Sequence, residues 1–259
     1  VYSMKIRHKI ISMITAIIFL AGMFSVIPLT AVAYGTYGSL TYNTYDSDGD
    51  GVYDYLTIAS CAQPVTEVEI PAEIDGVPVT EIQQYAFGGC NNLKNVIIPD
   101  RVVKIGKYAF YDCRSLKEIT IPESVASIDN CAFKNCSVLE TVLIKNPECE
   151  IYDSADTIFN NLIFDEETGE DFNSINGIIY GYENSTAQAY AEKYGYNFKL
   201  FVQGDISKND LIDLYDAIEV VKYIMKIRTF TETDKQFADF TGNDAVDLYD
   251  AIEIARTLI

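Results

Sequence analysis

VTEIQQYAFGGCNNLKNVIIPDR (Val79–Arg101), VVKIGKYAFYDCRSLKEITIPES (Val102–Ser124) and VASIDNCAFKNCSVLETVLIKNP (Val125–Pro147) stand end to end in the chain. They align without a gap at a period of 23 residues. Ala-Phe recurs at Ala86-Phe87, Ala109-Phe110 and Ala132-Phe133; Cys90, Cys113 and Cys136 follow, and then Leu93, Leu116 and Leu139. A unit this short cannot bury its own apolar face, so each must stack on the next in a solenoid with one β-segment per turn. Side chains alternate along a strand. Val96 and Ile98, Ile119 and Ile121, and Val142 and Ile144 are therefore expected in the core. Asn95 and Ile97, Glu118 and Thr120, and Thr141 and Leu143 are expected on an exposed strand face, which either binds another molecule or only meets water.

Outward from these three units, Val65–Ile82 reads as a preceding one, lengthened by an insertion around Glu73–Val77. Residues 178–198 read as a strand, a turn and a short helix. Ser185 is the N-cap, Gln188 completes an S-x-x-Q box, and Ala187, Tyr190, Ala191 and Tyr194 share a face. Cys90, Cys113 and Cys136 occupy one repeat position, which suits stacked core thiols better than bridges; Cys131 replaces a Tyr, and Cys61 and Cys149 have no assigned place. The AF-x-x-C-x-x-L spacing followed by I-x-I-P resembles the bacterial leucine-rich repeats of the BspA-like kind, over roughly residues 55–200. Residues 178–198 are similar to the C-terminal unit of that family.

Charge and address narrow the function. A formal net charge of −19 opposes the phosphates of nucleic acid. Lys5, Arg7, His8 and Lys9 precede an apolar run from Ile10 to Leu29, and Ala31-Val32-Ala33 supplies a small-x-small cleavage pattern. This predicts a signal peptide over residues 1–33, a mature N-terminus at Tyr34, an extracellular protein and no membrane segment after cleavage. The single histidine, His8, lies in that leader, so Ser-His-Asp and Cys-His catalysis and His-ligated zinc are excluded from the mature chain.

After the repeats the chain writes one pattern twice, 34 positions apart: DISKNDLIDLYD (Asp205–Asp216) and DFTGNDAVDLYD (Asp239–Asp250). Oxygen-bearing side chains fall at positions 1, 3, 5, 9 and 12, the ligand spacing of a calcium loop in which position 7 offers its backbone carbonyl. The first set is Asp205, Ser207, Asn209, Leu211 (carbonyl), Asp213 and Asp216; the second is Asp239, Thr241, Asn243, Ala245 (carbonyl), Asp247 and Asp250. Two calcium ions are expected. Asp210 and Asp244 stand where glycine ordinarily makes the sharp turn, a place Asp tolerates at some cost. A third ion through Asp46, Asp48, Asp50 and Asp54 is an open alternative to a plain turn at Gly49 and Gly51, with the non-bidentate Thr57 at its twelfth position.

The helix after each loop carries two apolar stripes. Ala217, Val220 and Ile224 form one; Leu214, Ile218, Val221 and Met225 form the other. The second copy repeats this with Ala251, Ile254 and Leu258, and with Leu248, Ile252, Ala255 and Ile259. A module of this size buries one stripe per helix, and the remaining one is a binding face. Two loop-helix halves without an entering helix, over Gly204–Ile259, resemble the dockerin family.

The resemblance implies a small all-α, EF-hand-like module that binds a cohesin of a cellulosomal scaffoldin. Family positions that set partner choice fall here on Leu214, Tyr215, Val221, Lys222 and Lys226, and on Leu248, Tyr249, Ala255 and Arg256. Ile218, Met225 and Ile252 extend the same stripes. The expected organisation is thus 1–33 signal peptide, 34–200 capped repeat domain and 204–259 dockerin, a mixed fold of solenoid plus paired helices. The expected function is a secreted, non-catalytic cellulosome component whose repeats bind an unknown protein or glycan. The alternatives are a dockerin-borne carbohydrate-active enzyme, since paired carboxylates need no histidine, and a cell-surface adhesin.

Overall fold

The computed structural model describes residues 33–159, 162–164, 171–173, 177–209 and 211–259. The expected leader lies outside them except for Ala33, which opens the first strand. Among the described residues no helix is long and apolar enough to cross a membrane.

Each 23-residue unit contributes two strands. The longer ones, Glu118–Ile121 and Thr141–Ile144, pair in parallel, Glu118 opposite Thr141 and Ile121 opposite Ile144. Ile178–Gly181 and Asn197–Leu200 continue that sheet, and Asn95–Ile97 pairs with Glu67–Glu69. The short strands Lys104–Ile105, Ser127–Ile128 and Glu150–Ile151 stack in parallel on the other side, next to Val77–Ile82. The meander Ala33–Tyr37, Leu40–Tyr45 and Tyr55–Cys61 caps that second sheet, antiparallel within itself and parallel to Val77–Ile82.

The repeat positions explain this winding. Phe87, Phe110 and Phe133 are fully buried and stack ring on ring, with centroids 4.9 and 5.2 Å apart. Burying each such side chain stabilises by about 1.5–3 kcal/mol. Phe87 N donates to Ala109 O at 2.7 Å and Phe110 N to Ala132 O at 2.8 Å, so the turns bond unit to unit. Val96, Ile98, Ile119, Ile121, Val142 and Ile144 are all buried, as the alternation requires. The six cysteines are free thiols; five are buried and Cys61 is half-buried.

Helix α1 (Thr186–Tyr194) closes the stack, burying Ala187, Tyr190 and Ala191 and packing Tyr194 against the same core. Ser185 caps it by accepting from Gln188 N at 3.2 Å. The expected box is only half formed, because Gln188 Oε1 accepts from Asn184 N, one residue before the cap, at 2.8 Å.

Helices α2 (Leu214–Ile224), α3 (Glu232–Ala238) and α4 (Leu248–Arg256) form the second module. Their core is shared with the solenoid. Ala217, Val220, Phe237, Ala251 and Ile254 pack with Leu143 and Tyr180 of the long-strand sheet and with Phe201. This corrects the expectation for Leu143, which is 0% exposed because the second module covers that end of the strand face. Ile97, nearer the other end, remains 39% exposed.

Candidate calcium loops and partner face

Both loops end in the same local device. Asp213 and Asp247, at position 9, are the N-caps of α2 and α4, accepting from Tyr215 N and Tyr249 N at 2.7 Å each. Asp216 and Asp250, at position 12, return the bond by accepting from Asp213 N and Asp247 N at 2.8 Å each. The two halves of D-x-x-D thus form reciprocal capping boxes. Upstream, Asp205 Oδ1 accepts from Asn209 N and Asp239 Oδ1 from Asn243 N, at 3.1 and 3.0 Å. Asn209 and Asn243 accept from Leu211 N and Ala245 N, both at 2.9 Å. Ser207 N reaches Asp216 Oδ1, and Thr241 N reaches Asp250 Oδ1. The same bonds are thus made at positions 1, 5, 9 and 12 of both copies.

Backbone conformation agrees with the turn. Asp244 has φ 62°, the left-handed region expected of it; Asp210 lies outside the described residues. Position 4 of each loop is left-handed as well, Lys208 at φ 58° and Gly242 at φ 69°. Gly242 is a readable sign of that turn. Lys208 is not, and it is held by tertiary contacts: its Nζ pairs with Asp234 of α3 at 2.8 Å and lies over the rings of Tyr180 and Phe237.

The donor set suits a hard dication. Asp205 is 1% exposed, and Asp216 and Asp250 are each 0% exposed. Bonds to Asp216 and Asp250 come from backbone N–H groups and the Thr241 hydroxyl, and among the described residues no cationic side chain pairs with either. A buried carboxylate without a counter-charge is costly, and an oxygen-seeking cation removes that cost.

Asp46, Asp48 and Asp50 form the one group of three or more candidate ligands whose oxygens lie within 4.8 Å of one another, among the described residues. The carboxylates of the two later loops stand wider apart. Asp54 is turned aside, accepting from Ser47 N at 2.6 Å and from the Ser47 hydroxyl, which holds its carboxyl below the usual range. Thr57 is buried and bonded to Gln83, away from the cluster.

On α2 and α4 one stripe is buried over its first two members and the other is open; the last members of the inner stripe, Ile224 and Leu258, depart from the expectation at 39% and 44% exposed. Ala217, Val220, Ala251 and Ile254 are in the core. Leu214 is 60%, Tyr215 70%, Leu248 58% and Tyr249 69% exposed, and Ile218, Met225 and Ile252 are exposed beside them. Val221 and Ala255 depart from the expected open stripe, since both are partly buried against the shared core. Lys222 pairs with Glu219 at 2.7 Å, and Arg256 with Glu253, at matching positions of the two helices. Arg228 adds a second cation to Glu219. The Lys222 bond, opposed by partial burial and joined by Arg228, holds the Glu219 carboxyl below its usual range. Lys226 is exposed just beyond α2.

A stacked parallel solenoid carrying a pair of repeated loop-helix units defines a protein of two modules. Residues 59–176 match the BspA type leucine rich repeat region in six copies, and residues 203–259 match the Dockerin type I domain. The chain thus carries a BspA type leucine-rich repeat region followed by a type I dockerin domain. Such a dockerin implies a cohesin partner in a cellulosome-like setting, and type I dockerins bind calcium. No curated protein matches. Solved structures similar to it include a leucine-rich repeat protein from Bacteroides capillosus, 25% identical over 47% of this chain and 95% of that one, TM-score 0.38. Another is the T. pallidum leucine rich repeat protein, 19% identical over 68% and 98%, TM-score 0.36. A third is a leucine rich cell surface protein from Faecalibacterium prausnitzii, 20% identical over 65% and 54%, TM-score 0.30.

Proposed function

We propose that this is an exported, non-catalytic attachment protein, divided into a leader (1–33), a repeat domain (34–200) and a dockerin (204–259). The dockerin takes two calcium ions, one through Asp205, Ser207, Asn209, Leu211 O, Asp213 and Asp216. The other is taken through Asp239, Thr241, Asn243, Ala245 O, Asp247 and Asp250. The ions supply the positive charge that the buried loop carboxylates require. They thereby fix the start of α2 and α4, because positions 9 and 12 are also the capping residues of those helices.

The cohesin is held by the uncovered stripe: Leu214, Tyr215, Ile218 and Met225 in one half, Leu248, Tyr249 and Ile252 in the other. Lys222, Lys226 and Arg256 border it, and Val221 and Ala255 support it from the core side. The observation that carries this reading is the pair of exposed Leu-Tyr steps, on helices whose opposite stripes are buried. The repeat domain presents a protein or glycan ligand, and the strand face left open around Ile97 is its available surface.

Calorimetry of the full chain against a panel of cohesin modules tests the proposal. Binding in calcium that disappears in EDTA supports it, and binding of equal strength in EDTA sinks it.

A further inference from the structure

A cavity of about 200 Å³ lies where the long-strand face meets helix α3 and the second loop. Strands Asn95–Ile97 and Glu118–Ile121 supply one wall, and Glu232, Thr233 and Gln236 of α3 supply the other. The exposed Asp100 and Asp244 complete the lining. One ordered water needs only roughly 10–15 Å³, so the space is that of a small molecule. No residue of the two Leu-Tyr faces lines it, which separates it from the surface proposed for the cohesin.

Unmet bonding and unbalanced charge meet there. Among the described residues, Thr120 Oγ1 and Thr233 Oγ1 are the two buried side-chain oxygens or nitrogens without a hydrogen-bond partner, and both residues line this one cavity. Buried hydroxyls are ordinarily bonded, and Thr233 is 0% exposed. Neither hydroxyl is tied in place, so a turn about χ1 is enough to bring it to a ligand. Asp100, Glu118 and Asp244 are in no ion pair among the described residues, whereas Glu232 is paired with Lys235 at 2.6 Å. Lys145 is the cation of the lining, and its Nζ donates to Gln236 Oε1 at 3.0 Å. Against Lys145, the three unpaired carboxylates leave an excess of two negative charges.

We propose that this cavity is a binding site for a small alkyldiamine, held as its diammonium ion between the two modules. Its N–H groups donate to the hydroxyls of Thr120 and Thr233 and to the Glu118 carboxylate, and its two charges answer the excess. Other chemistries fit less well. An anion meets the unpaired carboxylates, and the nearest N–H groups of α3 are taken, Thr233 N by Glu118 at 3.2 Å and Asp234 N by Thr231 at 3.0 Å. A calcium ion draws roughly six to eight oxygens to about 2.3–2.6 Å, which leaves most of this space unfilled. A sugar finds no aromatic ring in the lining to stack on. Because the walls belong to both modules, a bound diamine holds α3 on the repeat face and stabilises the joined form.

Calorimetry of the full chain in saturating calcium, at fixed ionic strength, tests this with the diamine putrescine, with neutral butanediol and with glucose. The expected result is a single saturable site for putrescine and none for the diol or the sugar. Thr120→Val and Thr233→Val should each weaken it about tenfold, the loss of one hydrogen bond to a charged group. Neither change should lower Tm, because neither hydroxyl has a partner in the protein to lose. Glu118→Gln, which keeps an acceptor for Thr233 N, should weaken it by at least as much. Absence of a saturable site overturns the inference, as does diol or glucose bound as tightly as putrescine. Full affinity in either threonine variant also overturns it, by placing the diamine on the general negative charge of the chain. The comparison of putrescine with butanediol on the wild-type chain decides even where a variant fails to fold.

Discussion

Phe237→Ala removes the side chain that joins the two modules. Phe237 belongs to α3, is fully buried, and meets Tyr180 of the solenoid edge-on at 5.3 Å and Phe201 at 4.8 Å. The Lys208 ammonium lies 5.3 Å from its ring centroid, bringing the first loop to the same point. Truncating a buried Phe to Ala costs about 3–5 kcal/mol. The upper part of that range applies here, because two edge-to-face pairs, each worth about 0.5–1.5 kcal/mol beyond area, are lost together. With a urea slope of about 1–3 kcal/mol/M, the unfolding midpoint of the dockerin should fall by more than about 1 M. Urea titration of the full chain in saturating calcium, followed by circular dichroism at the helical band, reads this directly. Tyr249→Ala, whose ring is exposed, is the control and should leave the midpoint in place. An unmoved midpoint in Phe237→Ala would refute the joint described here, since the second module would then be stable without its contact to the solenoid.

Three further outcomes are expected. Chelation with EDTA should remove most of the helical signal of residues 204–259, because the buried carboxylates are left without a counter-charge; full helicity in chelator contradicts the calcium assignment. Asp234→Asn should lower stability at neutral pH and flatten its acid limb. Burial raises the Asp234 carboxyl, but Lys208 and Thr231 outweigh it and hold the group below its ordinary value. Its contribution is therefore present above the ordinary carboxylate pKa and is lost as pH falls below about 4, which a stability–pH curve of the two proteins will show. The purified chain should release no reducing sugar from plant polysaccharides, and reproducible release would return the enzymatic alternative.

What was legible in the sequence is what repeats within it. The period of 23 placed Phe87, Phe110 and Phe133 in one column, and strand alternation placed Val96, Ile119 and Val142 in the core. The duplication showed two apolar stripes on each helix, and the family resemblance assigned the one that begins at Leu214 and Leu248 to the partner. The burial of Leu143 was not legible. Periodicity describes how a unit packs on its own copies, whereas Leu143 is covered by a module far along the chain. The polar bonds there join Glu118 to Thr233 N and Lys145 to Gln236, across separations of 115 and 91 residues. Helix α3 was missed for a local reason. Its Thr231-x-x-Asp234 capping box is plain in the structure, but its seven residues are too few for an apolar period to emerge. The left-handed backbone of Lys208 is readable only through the other copy, where Gly242 holds the same position; Lys itself gives no local sign of it.

The central claim is that two equivalent Leu-Tyr faces serve one partner. Because the two halves carry nearly the same Leu-Tyr-Asp-Ala-Ile-Glu stretch, rotation by about half a turn should present an equivalent face, and either half should then suffice. The measurement is calorimetry against a binding cohesin, in calcium, for Leu214→Ala/Tyr215→Ala, for Leu248→Ala/Tyr249→Ala, and for all four changes together. The account predicts that each double variant keeps most of the affinity. The first-half variant should lose more, because Val221 and Lys222 stand there where the second half has Ala255, which is smaller, and Arg256. The quadruple variant should not bind. Loss of all binding in one double variant, with its calcium still held, would contradict the account by showing that a single face carries the partner.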